Sequence, residues 1–402
     1  MDAMTFRDAG LWTGLVRRLS DRLFEMALGE TDLAQLFEFV CRTMDEEEFP
    51  LLRAQLAVTS LHPLIEARSF TWYRDTGLEA RGHEHTVGPE PHEWVHSPIY
   101  AMLQDNLPEL LLSMDDPATC ARFPLIERLR QDHAASQYFG MLLGFSALGR
   151  AGDLMDGMTL SFTTDRPGGF DAAMLDALRR LAPRLAICIK VGVREDTGRN
   201  IAEAYLGPEA GRQVLEGHIR RGDVEVIDAV FVYGDIRDSS GQADRLEPTA
   251  FLEMLNGYFE RIGRAVVEEG GSVLQFAGDS LLAVFRIGEG CHTDKAAAAA
   301  ALRAARRALE GVVDGAHFPF GIGLHRGKAL YGNIGLTDRL AFTVIGRDVN
   351  AVARLEASTR NLGVPLLASP SVAILAPEEL EALPAPPQRG LPADWTLYKL
   401  RA

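Results

Sequence analysis

The spacing of apolar residues divides the first half of the chain into a helical start, a strand-rich segment and a closing helix. Apolar residues recur at three- and four-residue steps over 11–44, which is the period of an α-helix, and two helices are predicted there. A leucine stripe after Asp171 predicts another helix. Shorter runs of strand composition lie between them, at 55–59, 68–74, 140–145 and 157–163. Helices flanking an antiparallel sheet predict an α+β domain.

From about Ala229 the pattern changes to strand, helix, hairpin, helix, strand. The run 229–233 is short, apolar and β-branched, which predicts a buried strand. Apolar runs on both sides of Gly278-Asp279 predict a hairpin. The charged segment 191–228 is broken by Gly207-Pro208 and is predicted to connect the two halves. Further helices are predicted at 248–269, 294–309 and 349–359, and further strands at 318–324, 342–346 and 395–400.

Composition excludes several classes of protein. With 402 residues the chain is long enough for two or three domains, and its formal net charge of -15 argues against a general nucleic-acid binder, which needs a basic surface. The four cysteines show no CxxC spacing, so a disulfide framework or structural zinc site is not predicted. The start of the chain lacks a signal-peptide pattern, and no apolar run approaches the roughly 20 residues of a membrane span. A cytoplasmic protein is expected.

Two aspartates lie in similar apolar surroundings. Asp235 ends the predicted strand 229–233 and its Tyr-Gly extension, and Asp279 lies in the turn of the predicted hairpin. Two carboxylates at neighbouring strand ends favour a divalent cation, since Mg²⁺ binds a few carboxylate oxygens and completes its shell with water and phosphates. A lone Gly-Asp is more often a solvated turn, so the prediction depends on both aspartates. Nucleotide chemistry is the first hypothesis.

Five ordered blocks resemble the class III nucleotidyl cyclase homology domain. They are GDIRDSS, GGSVLQFAGDSLLAVF, GIGLHRGKALYGNIG, FTVIGRDVNAVARLE and RGLPADWTLYKL, and they cover about residues 229–400. The resemblance implies a ferredoxin-like βαββαβ catalytic domain over 229–402. The strand 158–162, the Asp-Arg-Pro-Gly-Gly-Phe turn and the closing helix 171–189 resemble a GAF-like domain, which implies an α+β regulatory domain over 1–190 with an unknown small-molecule or protein regulator.

The cyclase resemblance implies a role for each matching residue. Asp235, Asp279 and the carbonyl of Ile236 would hold two Mg²⁺ or Mn²⁺ ions. Asn350 and Arg354, four residues apart on one helix face, would orient the ribose and stabilise charge on the α-phosphate. Arg389 would face the terminal phosphates. Because this family builds its site from two domains, a homodimer is implied.

The choice of base departs from the family pattern. Adenylate cyclases usually read adenine with Lys and either Asp or Thr, and guanylate cyclases use Glu and Cys; this chain has Gln275 and Thr343. An amide and a hydroxyl can each donate and accept, so weak discrimination is expected. Thr343 favours ATP as the substrate, and GTP remains an alternative.

Three functional hypotheses follow from the sequence. The first is an adenylate cyclase that makes cyclic AMP and pyrophosphate in intracellular signalling. The second is a guanylate or dual-specificity cyclase. The third is a non-catalytic cyclase-homology module that binds nucleotide or dimerises. A separate stretch with His83, His85, His92 and His96 has a spacing that could bind metal, although solvated loop histidines are the favoured interpretation.

Overall fold

The computed structural model describes residues 3–30, 32–85, 91–145, 156–288, 290–310 and 320–401. Contacts divide the chain into two compact units, Met1–Ile201 and Ala202–Ala402. Each unit contains its own sheet. No helix in the described ranges is both long enough and apolar enough to cross a membrane.

The N-terminal unit combines a six-stranded sheet with helices. The helices are α1 (Ala3–Ala27), α2 (Leu33–Glu46), α3 (His92–Val95), α4 (Pro98–Gln104), α5 (Pro117–Arg122), α6 (Pro124–His133) and α7 (Ala172–Leu206). The strands are β1 (Arg53–Thr59), β2 (Ile65–Tyr73), β3 (Gly77–Glu84), β4 (Glu109–Ser113), β5 (Gln137–Gly144) and β6 (Gly157–Thr164). They lie in the order β3-β2-β1-β6-β5-β4, and every pairing is antiparallel.

The two faces of this sheet pack differently. On one face, alternate strand residues such as Leu56, Phe70 and Phe162 form a large core with the apolar sides of α1, α2 and α7. The opposite face contributes Tyr138 to a smaller cluster that includes Phe123 and residues of α5 and α6. The sheet is therefore covered on both sides, by a large apolar core and by a smaller mixed layer.

The predicted helices and strands of this unit are confirmed, but two strands and the four short helices α3 to α6 were not predicted, and one helix is longer than predicted. Strands β3 and β4 are the edges of the sheet, and their exposed side chains do not show the apolar alternation of a half-buried strand. Helix α7 continues to Leu206 instead of ending near Ile189, although few of its later residues are buried. Periodicity alone could not locate that end, because an exposed helix has no apolar stripe.

The C-terminal unit combines helices with an eight-stranded sheet. The helices are α8 (Pro208–Leu215), α9 (Ser239–Arg245), α10 (Pro248–Glu268), α11 (Asp294–Leu309), α12 (Arg347–Leu362) and α13 (Pro370–Ala373). The strands are β7 (Val224–Ile236), β8 (Ser272–Ala277), β9 (Ser280–Ile287), β10 (Phe320–Gly335), β11 (Leu340–Ile345), β12 (Leu366–Ala368), β13 (Leu380–Leu383) and β14 (Leu397–Leu400).

Strand β7 is central in this sheet. The strand order is β13-β14-β12-β10-β7-β9-β8, and β11 also pairs with β10. Alternate residues of β7 face opposite cores: Val230 and Val232 pack with α10 and α11, and Ala229 and Phe231 pack with Val352 of α12. The helices on both faces hold β7 and its two neighbours in one register, which places the ends of these strands together.

Element boundaries in this unit differ from prediction where strand pairing extends an element. Strand β7 begins at Val224 instead of Ala229, because β10 is 16 residues long and pairs with it back to that residue. The predicted strand 318–324 corresponds to the start of β10, and residues 318–319 lie outside the described residues. The short strands β12 and β13 were not predicted, since three or four residues show no readable period.

Helix α12 approaches β10 closely at Gly323. A Cβ atom added to Gly323 would lie 2.5 Å from the carbonyl oxygen of Val352 and 2.8 Å from the amide nitrogen of Glu356. These are backbone atoms of the helix, so a larger residue can be accommodated only if the helix moves. The absence of a side chain at Gly323 thus sets the distance between α12 and the sheet.

We expect Gly323→Ala to destabilise the C-terminal unit by about 1–3 kcal/mol, the usual range for overpacking a core. Urea unfolding followed by circular dichroism measures the change. The matched control is Gly257→Ala on α10, where an added Cβ meets nothing within 4 Å. That exposed helical position should become more stable by about 0.5–1 kcal/mol. Equal effects of the two substitutions would contradict the close approach of α12.

Candidate active site

Strand pairing brings Asp235 and Asp279 together. Asp235 is the penultimate residue of β7 and pairs with Ser280, the first residue of β9. Asp279 immediately precedes Ser280 in the turn from β8, where Gly278 has a φ of 65° that favours glycine. The hydroxyl of Ser280 donates a 3.1 Å hydrogen bond to Oδ2 of Asp235. The hairpin register therefore places the second carboxylate beside the first.

The two carboxylates form an electrostatically strained pair. Partial burial, followed by the charge of Asp279, raises the pKa of Asp235 to about 6, whereas the hydrogen bond from Ser280 lowers it. Bringing two carboxylates together in a partly desolvated place is unfavourable unless a proton or cation joins them. Hard divalent cations prefer oxygen donors of this kind, so the pair fits a metal. Ile236, the third predicted ligand, is the buried last residue of β7.

Asn350 and Arg354 lie on the solvent side of α12. Both are exposed, and Nη1 of Arg354 donates a 2.6 Å hydrogen bond to the carbonyl of Gly390. Arg389, which is also exposed, is the residue before Gly390. The structure therefore brings Arg354 and the Arg389 loop together, but no described contact joins either arginine to Asp235 or Asp279.

The geometry of α12 explains this separation. Glu356 is two residues after Arg354, about 200° around the helix, and it is buried against the sheet. The start of the helix is held by Asp348, whose Oδ2 accepts a 2.8 Å hydrogen bond from the amide of Lys328 and whose Oδ1 lies 3.6 Å from Nε2 of His325. The side chain of His325 is itself buried. Arg354 consequently faces away from the aspartates of its own chain.

Gln275 and Thr343 contact each other directly. They lie on β8 and β11, and the hydroxyl of Thr343 donates a 2.8 Å hydrogen bond to Oε1 of Gln275. Both side chains remain at least partly exposed to solvent. The two residues predicted to read the base thus form one unit, in which the amide and the hydroxyl orient each other.

The histidine-rich stretch does not assemble a centre. His83 lies 2.8 Å from the hydroxyl of Ser69, and His85 lies 3.0 Å from the carbonyl of His62. His92 and His96 stack with ring centroids 4.0 Å apart. Over the described ranges, no group of three or more His, Cys, Asp or Glu residues could hold a metal ion. Asp235 and Asp279 are a pair, so they do not form such a group either.

A comparison with known protein families identifies the domain that contains these residues. Residues 224–380 match the family described as the adenylate and guanylate cyclase catalytic domain. The C-terminal unit contains a class III cyclase catalytic domain.

Named relatives match less than half of this chain. The adenylate cyclase of Anabaena cylindrica is 33% identical over 151 residues, which are 35% of this chain and 29% of that protein. Adenylate cyclase 1 of Rhizobium meliloti (strain 1021) is 28% identical over 179 residues, which are 42% of this chain and 26% of that protein. The chain thus spans less than a third of either relative. A bacterial light-regulated adenylyl cyclase of known structure is 16% identical, with a TM-score of 0.44 over 73% of this chain and 93% of that one.

Two buried polar residues of the cyclase domain were not predicted. Glu356 is 6% exposed, and Tyr258 lies against Gly234, where an added Cβ would be 2.9 Å from the Tyr258 hydroxyl. Burial, then the charge of Asp235, raises the pKa of Glu356 to about 8, and Arg237 opposes that shift. Burial and the charge of Asp235 also raise the pKa of Tyr258 far above its usual value. Both side chains therefore feel the negative charge of the aspartates.

Arg237 links β7 to the end of α12. Its Nη2 donates hydrogen bonds to the hydroxyl of Thr359, at 3.3 Å, and to the carbonyl of Val364, at 2.6 Å. Asp238, the next residue, points away along α9 and pairs with Arg245 at 3.4 Å. The charge of Asp238 is thus directed to its own helix.

Glu356 is the glutamate of the ARLE segment in the sequence. Nothing in that segment distinguished it from an exposed helical glutamate, so its burial could not be predicted.

The free energy of unfolding of the wild-type protein should fall as the pH rises from about 4.5 to about 8. We expect Glu356→Gln to abolish most of that fall. The folded protein keeps the Glu356 proton up to about pH 8, whereas the unfolded chain releases it near pH 4.5. The folded state binds more protons in that window, so the free energy of unfolding falls as pH rises. Urea unfolding in EDTA from pH 4.5 to pH 9 measures the effect.

The control for this experiment is Glu253→Gln, an exposed position on α10. It should leave the pH profile unchanged. The substitution Glu356→Gln should retain the smaller decline near pH 4 to 6 that comes from Asp235. Equal destabilisation of Glu356→Gln at pH 5 and pH 8 would show instead that Glu356 is ionised in the folded protein.

Proposed function

We propose that the cyclase domain is an adenylate cyclase, which converts ATP to 3′,5′-cyclic AMP and pyrophosphate for intracellular signalling. The observation that carries the proposal is the meeting of Asp235 and Asp279 at the end of β7, in a chain that also has Asn350 and Arg354 on one face of α12. Two relatives that match part of this chain are named adenylate cyclases.

Asp235, Asp279 and the carbonyl of Ile236 would hold two Mg²⁺ or Mn²⁺ ions. Ions bound there would lower the pKa of the ribose 3′-hydroxyl and neutralise the triphosphate. Asn350 would orient the ribose, and the guanidinium of Arg354 would stabilise the charge that grows on the α-phosphate. Arg389 would bind the terminal phosphates, with Gly390 holding Arg354 beside it.

The proposal includes a homodimer. Arg354 points away from the aspartates of its own chain, so a second copy is needed to complete each site. A head-to-tail pair related by a two-fold axis would form two equivalent sites, each with the aspartates of one chain and Asn350 and Arg354 of the other. A monomer would keep the two halves of its site apart.

The Gln275–Thr343 pair supports ATP as substrate. In the observed orientation Oε1 of Gln275 accepts from Thr343, which leaves the amide NH₂ as a donor and the Thr343 oxygen as an acceptor. At the positions that the family resemblance gives these residues, a donor toward N1 and an acceptor toward the amino group match adenine. A flipped amide would accept at N1 and free the hydroxyl to donate, which matches guanine. This observation keeps GTP as the second candidate substrate.

We also propose that the N-terminal unit is a GAF-like regulatory domain, with residues 1–190 as the domain, 191–228 as the connector and 229–402 as the catalytic domain. A six-stranded antiparallel sheet covered by helices on both faces supports this assignment.

We expect the purified protein to form cyclic AMP from ATP in the presence of Mn²⁺, and to form less cyclic GMP from GTP. Product analysis by chromatography, with each nucleotide supplied separately, measures both. Asp279→Ala should lower turnover by at least about 100-fold, since it removes a ligand of the ions that stabilise the transition state. Glu253→Gln is the matched control. No cyclic nucleotide from either substrate would favour the non-catalytic module, and a larger yield from GTP would favour the guanylate cyclase.

Mixing two inactive variants tests the homodimer. Asp279→Ala and Arg354→Ala should each be inactive alone. Dimers that exchange subunits contain one intact site per mixed pair, so an equimolar mixture should recover about a quarter of wild-type activity. A mixture that stays inactive while size-exclusion chromatography shows exchanged dimers would contradict a site shared between chains.

A further inference from the structure

A buried arginine in the N-terminal unit has no acidic partner. Arg53, the first residue of β1, is 4% exposed and is the single arginine among the buried side chains of the described residues. Its Nε donates to the hydroxyl of Tyr73 at 3.2 Å, and its Nη2 donates to Oε1 of Gln55 at 2.9 Å. Its Nη1 is buried and has no hydrogen-bond partner within the described ranges.

Other arginines of this unit show the opposite arrangement. Arg68 pairs with Asp196 and Arg74 pairs with Asp165, both at 2.8–2.9 Å and both with substantial exposure. No described carboxylate forms an ion pair with Arg53. Transfer of a guanidinium from water into the protein interior costs free energy unless an anion compensates its charge. The most buried arginine is therefore the one for which a nearby negative charge would be most stabilising.

The surroundings of Arg53 are rich in donors. Thr163 is the cross-strand neighbour of Arg53 on β6, and its hydroxyl is also buried without a partner in the described structure. The oxygens of Tyr73 and Gln55 already accept from Arg53, which leaves the Tyr73 O–H and the Gln55 NH₂ free to donate. A cluster that offers N–H and O–H groups around an uncompensated cation is complementary to an anion.

The layer above this face is apolar and adaptable. Tyr138, the cross-strand neighbour of Thr163 on β5, packs with Met114 and Phe123. Met102 lies against β5 at Gly140, where an added Cβ would be 3.0 Å from its sulfur. Gly140, Ser161 and Gln55 are in register across β5, β6 and β1, so Met102 covers this face in the row next to that of Arg53. Methionine is unbranched and changes rotamer at low cost, so Met102 can move to admit a small apolar group on this face.

We propose that this face of the N-terminal sheet binds a small carboxylate with a short apolar tail. Nη1 of Arg53 and the hydroxyl of Thr163 would hold the carboxylate, since the guanidinium fork matches the planar geometry of that group. Tyr73 and Gln55 would keep the guanidinium in place. The apolar tail would take the position of the Met102 side chain, between α4 and the sheet. The inference concerns binding and does not depend on the proposed cyclase activity.

The test is calorimetric and thermal titration of the full chain with sodium acetate, butyrate and hexanoate at constant ionic strength. Saturating butyrate should raise the unfolding temperature of the N-terminal unit by about 2–4 °C, and butyramide, which has the same shape without the charge, should not. Chloride and inorganic phosphate should bind at least about 10-fold more weakly than butyrate, because neither has the flat carboxylate with an attached tail.

Variants make the result specific. Arg53→Met should abolish the butyrate response, and Arg81→Met, on an exposed arginine of β3, should retain it. Thr163→Val conserves shape and should weaken butyrate binding by about 3- to 10-fold through the loss of one hydrogen bond, which keeps the test decisive if Arg53→Met does not fold. The same titration with Asp279→Ala should be unchanged.

Three outcomes would overturn the proposal. Butyramide could stabilise as much as butyrate, which would show that the charge is not recognised. Arg53→Met could keep the full response, which would place binding elsewhere. Chloride or phosphate could bind as well as butyrate, which would make this a site for inorganic anions.

Discussion

Repulsion between two carboxylates at the end of a central strand is the constraint around which the C-terminal unit is arranged. Asp235 cannot move away from Asp279, because β7 is paired on both sides, with Ser280 of β9 and Gly321 of β10. The backbone ladder thus holds charges together that would separate in solution. Burial and this repulsion together raise the pKa of Asp235, and a cation bound between the carboxylates would relieve the repulsion.

The same negative charge reaches helix α12. Glu356 lies on the inner face of α12 and has its pKa raised partly by Asp235, and Arg237 connects the end of β7 to Thr359. Glycine at 323 lets the helix come close enough for this. One chain therefore couples its aspartates to α12 through buried groups, while the opposite face of α12 presents Asn350 and Arg354 outward. In the proposed homodimer, the aspartates and the Asn350–Arg354 face of one chain would complete two equivalent sites with a single partner copy.

The N-terminal unit shows the converse electrostatic situation. There a cation is buried among neutral side chains, and Arg53 forms no ion pair with a carboxylate of the described residues. In both units, charged side chains without a partner of opposite charge are held in place by contacts between elements that are distant in sequence, so they cannot move apart or into solvent. Such places are where a protein interacts with ions and ligands, because the free energy of desolvation is recovered when the missing charge arrives.

Sequence alone located much of this protein. Sequence periodicity predicted helices α1, α2, α10 and α11 and the apolar strands next to Asp235 and Asp279. It could do so because burial of one helix face, or of a central strand, imposes a regular pattern of apolar residues on the element itself. Five ordered blocks were enough to indicate the cyclase domain that the family comparison then identified. The roles of single residues, the metal ions and the dimer came from that resemblance and stay proposals.

Tertiary structure decided the rest. The edge strands β3 and β4 and the short strands β12 and β13 exist through pairing with neighbours distant in sequence, so their own residues carry no sufficient pattern. The raised pKa of Glu356, the hydrogen bond between Gln275 and Thr343 and the unpaired charge of Arg53 all depend on which side chains meet across a sheet. Periodicity reports how a residue relates to its own element, whereas electrostatics at a site is a property of distances between elements, which only the folded chain sets.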